Sequence, residues 1–170
     1  MNPQRPLTSL SARASHVSRR ALGALALGVA ALTMTGPLHA DAPPGRYALR
    51  ACGTVVFDTQ TKLEWQRGVN PPADVANAIG VCGALALDGG RWRAPTMLEL
   101  SSIQDLTASP SIDQRAFPGT PSTNFATVSQ SAPATPPSYW VLSFGTGVPD
   151  LAVSTTPGAL VNSRCVRSAP

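Results

Sequence analysis

Few residues in this chain are able to do chemistry, and arginine carries most of the positive charge. Histidine occurs only at His16 and His39, and lysine only at Lys62. Arg164 and Arg167 flank Cys165 near the C-terminus. Guanidinium forks suit bidentate capture of a carboxylate or sulfate. Two arginines alternating on one strand would share a face and form such a site, the plainer alternative being a solvated strand edge. Trp92 and Trp140 have flat faces that suit the apolar faces of sugar rings, although tryptophans inside strand-like segments more often belong to the core, and Trp65 reads the same way. Arg93 and Glu99 form a further charged pair, better explained by a helix cap and a held loop than by a site. The candidate ligand-binding residues are therefore Arg164, Arg167, Arg93 and Trp140. The nine acids are scattered, with neighbours such as Asp58 and Glu64 six positions apart. A calcium ion needs several oxygen ligands at once, so no metal site is expected, and no cofactor or catalytic residue is assigned.

The first forty residues change this inventory. Arg5, Arg13, Arg19 and Arg20 stand there without any acid, an apolar stretch runs from Ala21 to Met34, and Leu38-His39-Ala40 offers a small-residue cleavage site before Asp41. That is the order of an export signal. The apolar run is about 14 residues, short of the roughly 20 that span a bilayer. Ser18-Arg19-Arg20 fits either a twin-arginine signal or an ordinary basic leader. Cleavage after Ala40 removes both histidines and four of the 13 basic residues, leaving nine basic and nine acidic residues. The remaining chain is formally neutral. Serine and cysteine triads that need histidine are excluded, as is a histidine-ligated zinc. Phosphate backbones find no net attraction, so nucleic acid is not an expected partner. The remaining cysteines are Cys52, Cys82 and Cys165; in an oxidising compartment two can pair and one is odd. Leu49-Arg50-Ala51-Cys52 lies too far past the apolar stretch to be a lipoprotein cleavage site.

About 130 residues remain, the size of one ordinary domain with a real core. Residues 54–57 and 62–65 flank a polar turn and predict a hairpin with one buried face. Pro71-Pro72 is expected to open a helix whose stripe is Val75, Ala78, Ile79, Cys82 and Leu85, closing at Gly89-Gly90. Pro95 keeps Ala94 extended. Thr96 then caps a second helix with Glu99 in a capping box; Met97, Leu100, Ile103 and Leu106 face inward, and the helix ends near Thr107. Residues 118–138 are rich in Ser, Thr, Pro and Ala and read as a long loop. Strands are expected over 139–144, 148–153 and 160–166, with a Gly145-Thr146-Gly147 turn.

Several of these segments occur together in one family. Thr54–Asp58 and Thr61–Arg67 look like its opening hairpin, and Cys82 with Leu85 like its first helix. Trp92-Arg93-Ala94-Pro95-Thr96 followed by Glu99-Leu100 resembles its most specific motif. Ile112-Asp113 with Phe117-Pro118, Tyr139-Trp140-Val141 through Phe144 with Gly147, and Arg164-Cys165-Val166-Arg167 resemble its later landmarks. The match runs over about residues 47–168 and is similar to the Lcl C-terminal domain family, named after the C-terminal part of a bacterial collagen-like adhesin. Its members look like variants of the C-type lectin fold. The resemblance implies a Cys82–Cys165 disulfide, with Cys52 free or pairing between chains. The family usually has glycine where Lys62 stands, leucine at Ala94, and Trp-Ser-Ser where this chain has Phe125-Ala126-Thr127. The Trp-Asn-Asp run of calcium-dependent lectins is absent from the sequence.

The expected architecture is α+β, a C-type-lectin-like single domain with two helices and a mostly antiparallel sheet. Residues 1–40 would be the signal, 41–46 a short linker and 47–168 the domain. The expected function is that of a non-enzymatic bacterial recognition module, secreted, surface-bound or periplasmic. It would bind a glycan, an anionic polysaccharide or another surface polymer, with no membrane span after cleavage. The alternative is a structural envelope or matrix protein without a specific ligand. An enzyme is least expected: the sulfatase-activating oxidases of the wider fold share only the Arg-x-Pro-Thr segment.

Overall fold

The computed structural model describes residues 42–133, 135–153 and 158–170. The expected export segment over residues 1–40 and its expected cleavage point lie outside these residues. Among the described residues the fold is α+β, with two sheets and two α-helices. Strands β1 (Tyr47–Arg50), β2 (Val55–Asp58), β3 (Leu63–Gln66) and β9 (Val166–Ser168) form an antiparallel sheet in that order. The second sheet has the order β4 (Asn70–Ala73), β8 (Val161–Ser163), β5 (Asn124–Gln130), β6 (Ser138–Ser143), β7 (Pro149–Val153), with β5 and β8 parallel and the other pairs antiparallel.

The β2–β3 hairpin forms as predicted, with Val56 opposite Trp65. It is buried on both faces rather than one. Val56 and Trp65 enter a central core with Leu100, Ile103, Phe117, Phe125, Leu142 and Phe144. Val55 packs on the other side with Cys82, Trp92, Ala94 and Cys165. Strand β1, which adds an edge to the hairpin, has no counterpart in the sequence reading.

Helix α1 (Val75–Gly83) begins later and ends earlier than expected. Pro71 and Pro72 belong to edge strand β4, where a missing N–H is tolerated and the register with β8 is irregular. The cap is Asp74, whose Oδ1 accepts the Asn77 N–H at 3.0 Å. That bond and a second one, donated by the Asn77 side-chain amide to Oδ2, hold the Asp74 carboxyl below its ordinary range. Val75, Ala78 and Cys82 form the buried stripe. A separate single turn follows at Leu87–Gly89. Helix α2 (Met97–Ser102) has the predicted capping box, Thr96 Oγ1 accepting the Glu99 N–H and Glu99 accepting the Thr96 N–H. It stops after six residues, and Leu106 is exposed.

The segment 118–138 is not one long loop. It contains β5, a central strand whose Phe125, Ala126 and Thr127 are fully buried. Phe125 enters the central core while Ala126 packs beneath α1 with Val75, Val141 and Val161. The single strand expected over 160–166 is two strands, β8 and β9, in different sheets. The chain crosses between them at Arg164-Cys165. There the Cys82–Cys165 disulfide ties the crossover to α1, with sulfurs 2.01 Å apart and the residues 83 positions apart in sequence. Cys52 is free and exposed.

Candidate functional site

The Trp92-Arg93-Ala94-Pro95-Thr96 segment is held on two sides. Arg93 and Val166 exchange both backbone hydrogen bonds, at 3.0 and 2.9 Å, and Val128 N–H donates to the Pro95 carbonyl at 2.8 Å. Arg93 is thereby fixed beside β9, next to Arg167. The preceding turn has positive φ at Asp88, Gly89, Gly90 and Arg91. This left-handed run folds the turn back so that the Asp88 and Gly90 carbonyls face Arg167. An open cleft of about 550 Å³ lies between the turn and the last residues, with Arg91, Arg93 and Arg167 in its lining.

The three arginines differ in what remains available. Arg167 is committed. Its Nε donates to Glu64 Oε2 at 2.8 Å, Nη2 to Asp88 Oδ2 at 2.6 Å, and Nη1 to the Asp88 and Gly90 carbonyls, the latter at 3.0 Å. Its guanidinium lies over the Trp92 ring, 4.6 Å from the centroid. Burial disfavours its charge, but the bonds to Glu64 and Asp88 outweigh this and hold its pKa above the ordinary arginine value. Arg93 grips Glu99 with both terminal nitrogens, at 2.8 and 2.6 Å, on an exposed surface. The bond from Arg93 lowers the Glu99 pKa. Arg91 is exposed, and among the described residues it makes no hydrogen bond or ion pair.

The remaining predicted ligand residues lie elsewhere. Arg164 does not share a face with Arg167. The two are three positions apart, an odd step, and the break between β8 and β9 falls between them. Arg164 has 0% exposure. It lies 4.6 Å from the centroid of the Phe117 ring and donates to Thr120 Oγ1 at 2.7 Å. Its Nε and Nη1 have no acceptor among the described residues. Desolvation pushes its pKa down to about 9, which leaves it cationic at neutral pH. Trp140 is 38% exposed on β6, opposite the exposed Leu151 of β7, and does not line the cleft. Trp65 and Trp92 are core residues, and the Trp92 Nε1–H donates to the Leu87 carbonyl at 2.6 Å.

The structure thus brings Arg93 and Arg167 together, separates Arg164 and Trp140 from them, and adds Arg91. Arg91 carries no motif; the one sequence sign of its setting is the preceding Gly89-Gly90 pair, which permits the folded-back turn. Among the described residues no group of three or more His, Cys, Asp or Glu side chains is placed to hold a metal ion. The cleft lining combines the three arginines with Asp88, Ser168 and backbone, and an arginine there can bind an anionic group.

Among family models, that of the Lcl C-terminal domain matches residues 54–167. No curated protein and no solved structure matches the chain.

Proposed function

This chain belongs to the Lcl C-terminal domain family, and from that premise we propose that it is an exported, non-enzymatic recognition module. Its arginine-lined cleft takes an anionic group of a glycan or another surface polymer. The fold would be a variant of the C-type lectin architecture. The observation that carries this reading is Arg91, an exposed cation with no partner among the described residues at the mouth of a cleft. A guanidinium in that position keeps its full donor set for a carboxylate or sulfate. Arg93 forms the second arm, available by exchanging Glu99 for the ligand. Arg167 serves as the floor that shapes the cleft. The export segment at residues 1–40 supports a secreted, surface or periplasmic setting, where such polymers occur.

A glycan array with neutral, carboxylated and sulfated members, run with and without chelator, tests the reading. Binding is expected to anionic members only and to persist in chelator. Binding to nothing would favour a structural envelope protein. Loss of binding in chelator would place a metal in the mechanism and overturn the arginine account.

A further inference from the structure

We infer, resting on the anion-binding reading of the cleft above, that Glu99 is a built-in competitor for the anion at Arg93. This carboxylate of the chain itself holds the second arm of the cleft until a ligand displaces it. Arg93 lines the cleft. Its Nη1 and Nη2 donate to Glu99 Oε2 and Oε1 at 2.8 and 2.6 Å. That is the two-pronged geometry in which an arginine receives a carboxylate from outside, so Glu99 already sits where a ligand's anionic group would sit. Arg91, two positions earlier in the same lining, is exposed and has no partner among the described residues. An incoming anion therefore meets Arg91 freely and gains Arg93 only by exchange.

The exchange strands no buried charge. The Arg93 and Glu99 side chains are 45% and 21% exposed, and ion pairs in such settings are weak because water and salt serve both partners. Glu99 also has other bonds to fall back on. Its Oε2 accepts the Thr96 backbone N–H at 2.8 Å and the Thr96 hydroxyl at 3.1 Å. Released from Arg93, it keeps the capping box and turns Oε1 to water. Arg93 in turn stays beside the cleft, because its backbone is bridged to Val166 in both directions. The other ion pair at the cleft cannot open in this way. Arg167 is bound to Glu64, which is buried and also holds Arg50, so withdrawing Arg167 would leave a buried carboxylate short of a partner. The contrast in burial marks Arg93–Glu99 as the pair that a ligand opens.

Glu99→Gln separates the two roles of this side chain. A glutamine at the third position of α2 still accepts the Thr96 N–H through its amide oxygen, but it brings no charge to Arg93. Titration calorimetry with dextran sulfate compares the parent protein, Glu99→Gln, Arg93→Gln and the double variant. Glu99→Gln should bind about three- to fivefold more tightly than the parent. The gain should vanish when Arg93 is also replaced, since the competitor acts through that arginine. A gain of equal size without Arg93 would show that Glu99 merely adds negative charge to the surface, and would overturn the inference. So would a parent that binds and a Glu99→Gln variant that binds no better, in both cases leaving the anion-binding reading intact. A parent that binds no polyanion would overturn both together. If Glu99→Gln does not fold, the carboxyl carbon resonance of Glu99 is followed in the parent through the same titration. It should move as sulfate takes Arg93, while the Thr96 amide resonance stays in place. A Glu99 resonance unmoved at saturation would overturn the inference.

Discussion

Glu64 and Arg167 face each other across the β3–β9 pair, and Arg167 Nε donates to Glu64 Oε2 at 2.8 Å. Glu64 is buried, and its other oxygen accepts Arg50 Nη1 at 2.5 Å. One carboxylate therefore joins β1, β3 and β9, while Arg167 also holds the 88–91 turn that walls the cleft. Removing one partner of a buried pair leaves an uncompensated charge. Because Arg50 remains, Arg167→Met should cost about 2–3 kcal/mol rather than the full penalty of an isolated buried carboxylate. Chemical denaturation measures it. A cost near zero would show that Arg167 does not organise the cleft.

The Cys82–Cys165 bridge closes a loop of 83 positions. On the chain-entropy model such a loop contributes about 4.5 kcal/mol, reduced by residual structure in the unfolded chain. Cys82→Ala should lower stability by roughly 3–4 kcal/mol. Non-reducing peptide mapping of the native protein should give the 82–165 peptide, with Cys52 open to thiol reagents. A peptide joining Cys52 to either partner would contradict the assignment.

Lys62 closes the β2–β3 hairpin at φ +60°, where the family usually has glycine. The left-handed region costs a side-chain-bearing residue about 1–2 kcal/mol, and glycine returns part of that in unfolded-state entropy. Lys62→Gly should therefore stabilise the domain by about 0.5–1 kcal/mol, read as a rise in melting temperature. A fall would mean that the lysine side chain contributes more than its backbone conformation costs.

Arg164 is a buried cation whose Nε and Nη1 lack acceptors among the described residues. Replacing a buried charge with an apolar chain of similar volume is often neutral or stabilising. Arg164→Met should change stability by less than about 1 kcal/mol in the unfavourable direction, whereas Arg164→Ala should cost about 2–4 kcal/mol through the cavity it leaves. Comparing the two melting curves separates charge from packing. Equal, large losses would show that the guanidinium itself holds the β8–β9 crossover.

Much of the fold was legible where the signal is local. Thr96 and Glu99 stand three apart before an apolar run, and the capping box is where they place it. Val55 to Trp65 read as a hairpin because alternation and a polar turn occur within a dozen residues. Strand β5 was missed because Ser, Thr and Pro on either side outweigh Phe125-Ala126-Thr127-Val128, and both faces of that strand are covered by elements distant in sequence. Prolines 71 and 72 suit a helix start and an edge strand equally, so only Asp74 and the pairing with β8 decide between them. For the site, Arg93 and Arg167 were recognised as candidates, but their meeting depends on the bridge between Arg93 and Val166. The odd step from Arg164 to Arg167 already argued against a shared face. Arg91 is not legible because its proposed role depends on a backbone turn and on having no partner among the described residues.

The proposed function rests on Arg91, which lines the cleft and has no partner among the described residues, and Arg91→Ser tests it with least disturbance to the fold. Titration calorimetry with dextran sulfate and with polygalacturonate, at low and at elevated salt, would compare this variant with the parent protein. The account predicts binding by the parent to at least one polyanion, weakened by salt, and a loss of about tenfold or more in the variant at unchanged melting temperature. Binding of equal strength in parent and variant would contradict it.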